Sequence, residues 1–299
     1  MISVIIPTYK KKEQLIRNLS TNMKYLDRCE VIVVNDDPTE SIKDVLNTFP
    51  TITLLENKKN LGFAGAVNVG VKKSNGSLIM LLNSDVIILD RSYQKAVAQF
   101  EKEQSLFAVS FAQVEQGGKI VGKNTIYFEN GFFQHKKSDN LDYGINGWAE
   151  GGSCLIDKKK LDLLQCFDET YSPFYWEDVD LSYRAWKSGY TVVFDPQIKV
   201  EHHHESTIGS FFSKRKIETI AYRNQFLFIW KNIIDKNLVN LHKKILLKSV
   251  LKNILRLNIP FVAGFFQAVL KSGQIRKQMN SKLSDQEVLQ KFESAIQRS

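Results

Sequence analysis

From Ser3 to Val86 the chain alternates between short runs of Val, Ile and Leu and stretches in which apolar residues return every three or four positions. The runs are SVIIP, EVIVVN, ITLLE and SLIMLLNSDV, and between them the helical pattern covers Glu13 to Tyr25, Ile42 to Thr48 and Phe63 to Ser74. A strand that is apolar throughout is covered on both faces, and strands of that kind separated by helices predict a mostly parallel sheet flanked by helices. In such sheets ligands gather at the carboxyl ends of the strands. The following part is less regular, with FAVSFAQV, the Gly-rich AEGGSCLI, a helical stretch from Trp176 to Ser188, and two strand-like pieces, TVVFDP and IKVEH. The sheet-forming body, residues 1–210, is expected to end there. Beyond it AYRNQFLFIW and KKILLKSVLKNILRL carry apolar residues at helical spacing, so residues 211–299 read as a helical extension, with no internal repeat or low-complexity tract.

Charge separates the same two parts. From Ser210 onward there are 17 Lys and Arg against 5 Asp and Glu, whereas the first 209 residues hold 24 against 27. A near-neutral body with a basic tail points to an anionic partner for the tail, a membrane surface or a nucleic acid. FVAGFFQAVL between basic segments favours an anionic lipid surface. The apolar run from Ile259 to Leu270 falls short of the ~20 residues that span a bilayer. Cys29, Cys154 and Cys166 are odd in number and lack Cys-x-x-Cys spacing, which predicts neither a disulfide framework nor a zinc site. The N-terminal apolar run precedes its positive charges, the reverse of a signal peptide, so a cytoplasmic protein on the inner face of the membrane is expected.

Four segments carry candidate chemistry. Asp85 ends an apolar run with Asn83 two positions earlier, and residues i and i+2 of a strand share a face. There they could hold Mn2+ or Mg2+ together with substrate phosphates, although Asn, Ser and Asp also simply favour turns. NLGFAGAVNVG lets backbone N–H groups at a helix start approach phosphate, without the spacing of a dinucleotide site or a P-loop. In FYWEDVDLSYRAWKSGY, Glu177, Asp178 and Asp180 open a helix; Asp180 has Arg184 four residues on, and the aromatic residues before Glu177 suggest an apolar cleft where a carboxylate could act as a base. In EHHHES the side chains of His202, His203 and His204 alternate in an extended chain, so at most two serve one site; an exposed polar cluster is the other reading.

Taken in order, SVIIPTYK, VIVVNDDPTE, NLGFAGAVNVG, LLNSDV, GGSCLIDKK, YWEDVDLSYRAWKSGY and the histidine-serine stretch resemble glycosyltransferase family 2, within it the bacterial rhamnosyltransferase-like branch that builds surface polysaccharides. The resemblance spans roughly residues 2 to 230. It implies a GT-A fold and an inverting transfer of one sugar from a nucleotide diphosphate, dTDP-rhamnose or a UDP-hexose, to a saccharide or lipid-linked acceptor. Asp85 then resembles the metal-binding aspartate, with Asn83 in the place of the motif's first Asp, and His202 or His203 the histidine beside metal and diphosphate. Asp178 resembles the catalytic base, with Glu177 beside it to orient the acceptor hydroxyl or a neighbouring side chain. Pro7, Thr8 and Tyr9 look like the loop on the nucleotide base; Asn60, Gly62 and Asn68 look like partners of ribose and diphosphate; Ser84, Gly151 and Gly152 fall in the remaining donor motifs. The second motif departs from the family: Asn35 stands at the usual aspartate, so Asp36 is a substitute for it at the base or ribose. Competing readings are a sugar-nucleotide binder without turnover and a nucleic-acid binder acting through the basic tail.

Overall fold

The computed structural model describes residues 1–202, 207–275 and 281–296. The apolar runs form β1 (Ile2–Thr8), β2 (Glu30–Asn35), β3 (Ile52–Glu56) and β4 (Leu78–Leu82), and the periodic stretches between them form α1 (Lys12–Asn22), the short α2 (Lys43–Leu46) and α3 (Gly62–Lys73). These strands pair in parallel in the order β3-β2-β1-β4. The alternation of β1 shows why its strand is apolar throughout: Val4 and Ile6 pack into the layer that holds Leu15 and Leu19 of α1, while Ile5 packs into the opposite layer with Val67 and Val71 of α3.

The less regular part supplies β5 (Val86–Ile88), α4 (Gln94–Lys102), β6 (Leu106–Val114), β7 (Ile120–Val121), a hairpin of β8 (Asn124–Glu129) and β9 (Phe132–Lys137), β10 (Gly144–Ile145), β11 (Ser153–Asp157), α5 (Lys158–Leu163), α6 (Glu177–Lys187) and β12 (Thr191–His202). TVVFDP and IKVEH are one strand, β12, with a register shift between Asp195 and Lys199 where it pairs with β6. β11 inserts between β4 and β6 and runs against both, so the sheet is parallel from β3 to β12 apart from this one strand. β5 returns antiparallel along the end of β12, with Val86 opposite His202.

Across and beyond residue 210 come α7 (Thr207–Phe211), α8 (Lys214–Asn232), α9 (Lys236–Leu255), α10 (Ile259–Lys271) and α11 (Asp285–Ile296). The apolar core continues across residue 210. Phe228 of α8 sits among Phe133, Trp176 and Tyr183 at ring-centre separations of 4.4, 5.2 and 5.3 Å. Phe261 and Ala268 of α10 and Phe292 of α11 are buried in the same cluster. At the start of α11, buried Asp285 pairs with Lys187 of α6 at 2.6 Å and accepts from Tyr183 and from the N–H groups of Ile234 and Asp235.

Candidate active site

The parallel order brings the carboxyl ends of β1, β2 and β4 to one edge, with Thr8 directly opposite Asn35. A cleft of about 420 Å³ opens there. Pro7, Thr8 and Tyr9 line it from β1, Asp36 from β2, and Asn83, Ser84 and Asp85 from β4; Asn60, Gly62 and Phe63 line it from the start of α3. Pro173, Phe174 and Tyr175 ahead of α6, His202 at the end of β12, and Phe212 between α7 and α8 complete the wall.

Asp85 is nearly buried, and its turn is braced from α1, where Asn18 Nδ2 donates to Ser84 O at 2.8 Å and Asn22 Nδ2 to Val86 O at 2.9 Å. Because β5 pairs with β12 beside it, His202 Nε2 comes within 3.4 Å of Asp85 Oδ1. A carboxylate oxygen and an imidazole nitrogen are a donor set suited to Mn2+ and, less well, to Mg2+. Among the described residues no group of three His, Cys, Asp or Glu side chains is arranged to hold a metal. This pair therefore suits a cation that takes its other ligands from phosphate oxygens and water. His203 lies outside the described residues. Asn83 is held against the backbone of the β11 approach: its N–H donates to Gly152 O at 3.0 Å, and a Cβ on Gly152 would stand 2.6 Å from its amide nitrogen.

The three acids of α6 follow a turn in which Tyr175 and Trp176 both adopt left-handed backbone, φ 71° and 79°. Such conformations cost roughly 1–3 kcal/mol each and persist where the surroundings hold them. Asn224 of α8 does so, its amide nitrogen lying 2.7, 3.0 and 2.8 Å from the carbonyls of Tyr171, Phe174 and Tyr175. Asp180 is consumed structurally. Tyr171, Arg184, Lys231 and Asn232 all bond its carboxylate, and against the cost of burial the Lys231 ammonium and Arg184 guanidinium hold its pKa far below the usual carboxylate range. Asp178 is half-buried, and its carboxyl is pushed up by burial and then by the charge of Glu150, although the N–H groups of Val179 and Gly151 pull it down. Glu177 is also raised, by burial and then by Asp178, and its Oε2 has no hydrogen-bond partner among the described residues.

Asp36 turns towards the start of α3: Leu61 N and Gly62 N donate to its carboxylate at 2.9 and 2.8 Å, with Asn57 Nδ2 at 2.8 Å. It neutralises orphan donors of a helix N-terminus. Burial raises its carboxyl nonetheless. Gly62 closes that turn at φ 74°, where a Cβ would lie 2.5 Å from Ser172 Oγ. Four expected donor residues, Asn35, Asn68, Gly151 and Gly152, are not brought to the cleft wall. Asn35 spends its side chain on its own turn, accepting from Asp37 N and donating to Glu40 O, because the turn after β2 coils back on it. Asn68 lies on α3 against the backbone of Phe167, bonding its N–H and carbonyl at 3.0 and 2.9 Å. Gly151 and Gly152 stand behind the wall, against Phe63 and Asn83.

Sequence reasoning missed Gln113, Glu150, Phe212 and Asn224. Glu150 immediately precedes the recognised Gly-Gly pair, a signal that was present; Gln113 near the end of an apolar strand and Asn224 in a long helix carry no local signal.

The family model described as glycosyl transferase family 2 matches residues 3–164. The chain is 24% identical over 221 residues to the poly-beta-1,6-N-acetyl-D-glucosamine synthase of Staphylococcus epidermidis, covering 72% of this chain and 52% of that protein. It is 30% identical over 124 residues to an uncharacterized glycosyltransferase of Rickettsia bellii, covering 40% of this chain and 18% of that one. The chain thus spans about half or less of these curated relatives. Among solved structures, GalNAc-T7 with UDP, GalNAc and Mn2+ superposes with TM-score 0.63 at 17% identity, covering 79% of this chain and 48% of that one. S. aureus TarS 1-349 with UDP-GlcNAc superposes with TM-score 0.56 at 15% identity, covering 91% and 81%. The common architecture is the GT-A fold.

Proposed function

The chain belongs to glycosyl transferase family 2, and from that premise we propose that it is an inverting, metal-dependent hexosyltransferase that moves one sugar from a nucleotide diphosphate to a saccharide or lipid-linked acceptor in bacterial surface polysaccharide synthesis. The observation that carries the reading is that the Asp85–His202 pair lines a cleft at the sheet edge whose wall residues Pro173, Phe174 and Tyr175 lie just ahead of α6, the helix that carries Asp178. The donor's base lies against Pro7, Thr8 and Tyr9, and its diphosphate faces Asp85 and His202. UDP-hexoses and dTDP-rhamnose are the donors in view; similar structures carry UDP-GlcNAc and GDP-Man.

The acceptor hydroxyl attacks the anomeric carbon as the bond from that carbon to the diphosphate oxygen breaks, and the bonding pair leaves with the diphosphate. Asp178 takes the hydroxyl proton. Its raised basicity suits that task, whereas Asp180 is held ionised by Lys231 and Arg184 and is a poor base. A divalent cation held by Asp85 and His202 offsets, when bound, the charge gathering on the leaving group. Glu177 orients the acceptor hydroxyl or a neighbouring side chain.

The same reading places the chain peripherally on an anionic membrane surface. Among the described residues no helix is long and apolar enough to cross a membrane. Leu247, Leu251 and Leu255 instead form an exposed stripe on α9, and Leu255, Leu257 and Leu270 are 85%, 81% and 84% exposed. Lys243, Lys244, Lys248, Lys252 and Arg256 flank the stripe, and no Asp or Glu occurs from residue 236 to residue 284. Exposed leucines beside cations suit an anionic lipid surface better than nucleic acid, which offers no apolar phase.

Thermal unfolding with UDP-, dTDP- and GDP-sugars, each with and without Mn2+, tests the donor site. A matching donor at 100 times its Kd raises stability by about 2.7 kcal/mol, and only with the metal present. A panel in which no nucleotide sugar stabilises the chain overturns the reading; stabilisation without transfer or hydrolysis overturns the catalytic part alone.

A further inference from the structure

Gln113, one residue before the end of β6, and Glu150, ahead of β11, are polar side chains, and Gln113 is 2% exposed. Gln113 Oε1 lies 2.6 Å from His202 Nδ1. The amide nitrogen of Gln113 donates to Glu150 Oε2, and Glu150 Oε1 accepts from Asn124 Nδ2 at 3.0 Å. Hydrogen-bond chemistry fixes the direction of this chain. A carboxylate only accepts, so the nitrogen end of the Gln113 amide must face Glu150 and its oxygen must face His202. That oxygen also only accepts, so Nδ1 of His202 must carry the proton. In the neutral ring Nε2 then bears the lone pair, and Nε2 is the atom 3.4 Å from Asp85 Oδ1. With Nε2 unprotonated, two lone-pair-bearing atoms face each other there, an arrangement that a divalent cation between them would stabilise.

We infer that Glu150 and Gln113 are positioning residues that act in series to hold the His202 ring and its tautomer so that Nε2 is presented, with Asp85, to a divalent cation. The inference rests on Asp85 and His202 being metal ligands. Neither positioning residue touches the cation; each acts through the partner before it, as outer partners of ligating histidines do. The strand pairing explains why they can reach. Gln113 lies opposite Val200 of β12, two residues before His202 and therefore on the same face as it.

The test is Mn2+ affinity of the full chain, followed by the electron spin resonance of free Mn2+ in the presence of UDP, with melting temperatures taken alongside. Gln113→Met keeps length and removes the acceptor; it should weaken Mn2+ binding by about 10- to 100-fold. Glu150→Gln should weaken it as well, because an amide no longer dictates which end of Gln113 faces His202. The exchanged pair, Gln113→Glu with Glu150→Gln, restores an acceptor to His202 Nδ1 and a donor to residue 113. It should recover near-original affinity, a rescue that loss of packing or of folding cannot mimic. Wild-type affinity in Gln113→Met, or no recovery in the exchanged pair, overturns the positioning role while Asp85→Ala and His202→Ala still lose Mn2+. Unchanged affinity in Asp85→Ala and His202→Ala removes the cation site itself, and the positioning role with it.

Discussion

Glu177, Asp178 and Asp180 occupy one helical turn, yet burial acts on each against different company. Asp180 has two cations and two neutral donors around it, Asp178 has the charge of Glu150 beside it, and Glu177 has an oxygen without a partner among the described residues. Asp178→Asn keeps size and removes basicity, so transfer should fall by about 10²- to 10⁴-fold with donor affinity nearly unchanged; near-normal kcat would move the base elsewhere. In the wild type the rate should climb with pH along a limb set above the ordinary aspartate value of ~3.9, because burial and then Glu150 raise the Asp178 carboxyl. Glu150→Gln should shift that limb to lower pH. Glu177 makes a stability prediction of definite sign. Its folded-state carboxyl is raised above the unfolded value of ~4.3, so in that window the folded chain keeps a proton that the unfolded chain has released. Its contribution is present at low pH and is lost as pH rises through the folded value. Glu177→Gln has no proton to lose and should gain on wild type by about 1–3 kcal/mol at alkaline pH and by nothing at pH 4. Melting curves across pH decide this, and a gap independent of pH would mean that Glu177 is not raised.

At the scale of elements, α8 and α9 are both basic helices but do opposite things. α8 buries Phe226, Phe228 and Ile229 and reaches the turn before the acids through Asn224. α9 is capped at its start by Asp235 and buries only His242 and Val250, leaving its leucine stripe outside. Replacing Leu247, Leu251 and Leu255 together by Gln should lower partition onto phosphatidylglycerol vesicles by about 100-fold, taking ~1 kcal/mol for each leucine. The melting temperature should hold, since the three are already exposed. Unaltered partition would count against the membrane face, and a dimer dissolved by the same substitutions would assign the stripe to a second copy.

At the scale of the molecule, the extension closes the core. Removing Asp285 leaves Lys187 buried without its anion, at a cost of about 3–5 kcal/mol, so Asp285→Ala should lower the melting temperature sharply even though it lies far along the chain from the cleft. A chain ending at residue 240 also loses Phe261, Ala268 and Phe292 from the core and should fail to fold, where a surface appendage would merely detach. A stable, cooperatively melting chain of that length would show that the extension is a separate body.

The positions of the parallel strands, and the polar residues that close them, were legible in the residues alone. A strand covered on both faces is apolar whatever covers it, and turn-forming Asn and Asp at its end are visible in place, as in LLNSDV. The helix opened by Glu177 was legible for the same reason, as was the role of Arg184 beside Asp180. Contacts between residues distant in the chain were decided only by the tertiary structure. The pairing of β5 with β12 brings His202 to Asp85, and the insertion of β11 between β4 and β6 brings Glu150 to Gln113. The coil of one turn set Asn35 inward and gave Asp36 to the start of α3. Helical periodicity in residues 211–299 announces that a face is buried or bound but not against what, so only packing could separate α8, which joins the core, from α9, which leaves leucines to the outside.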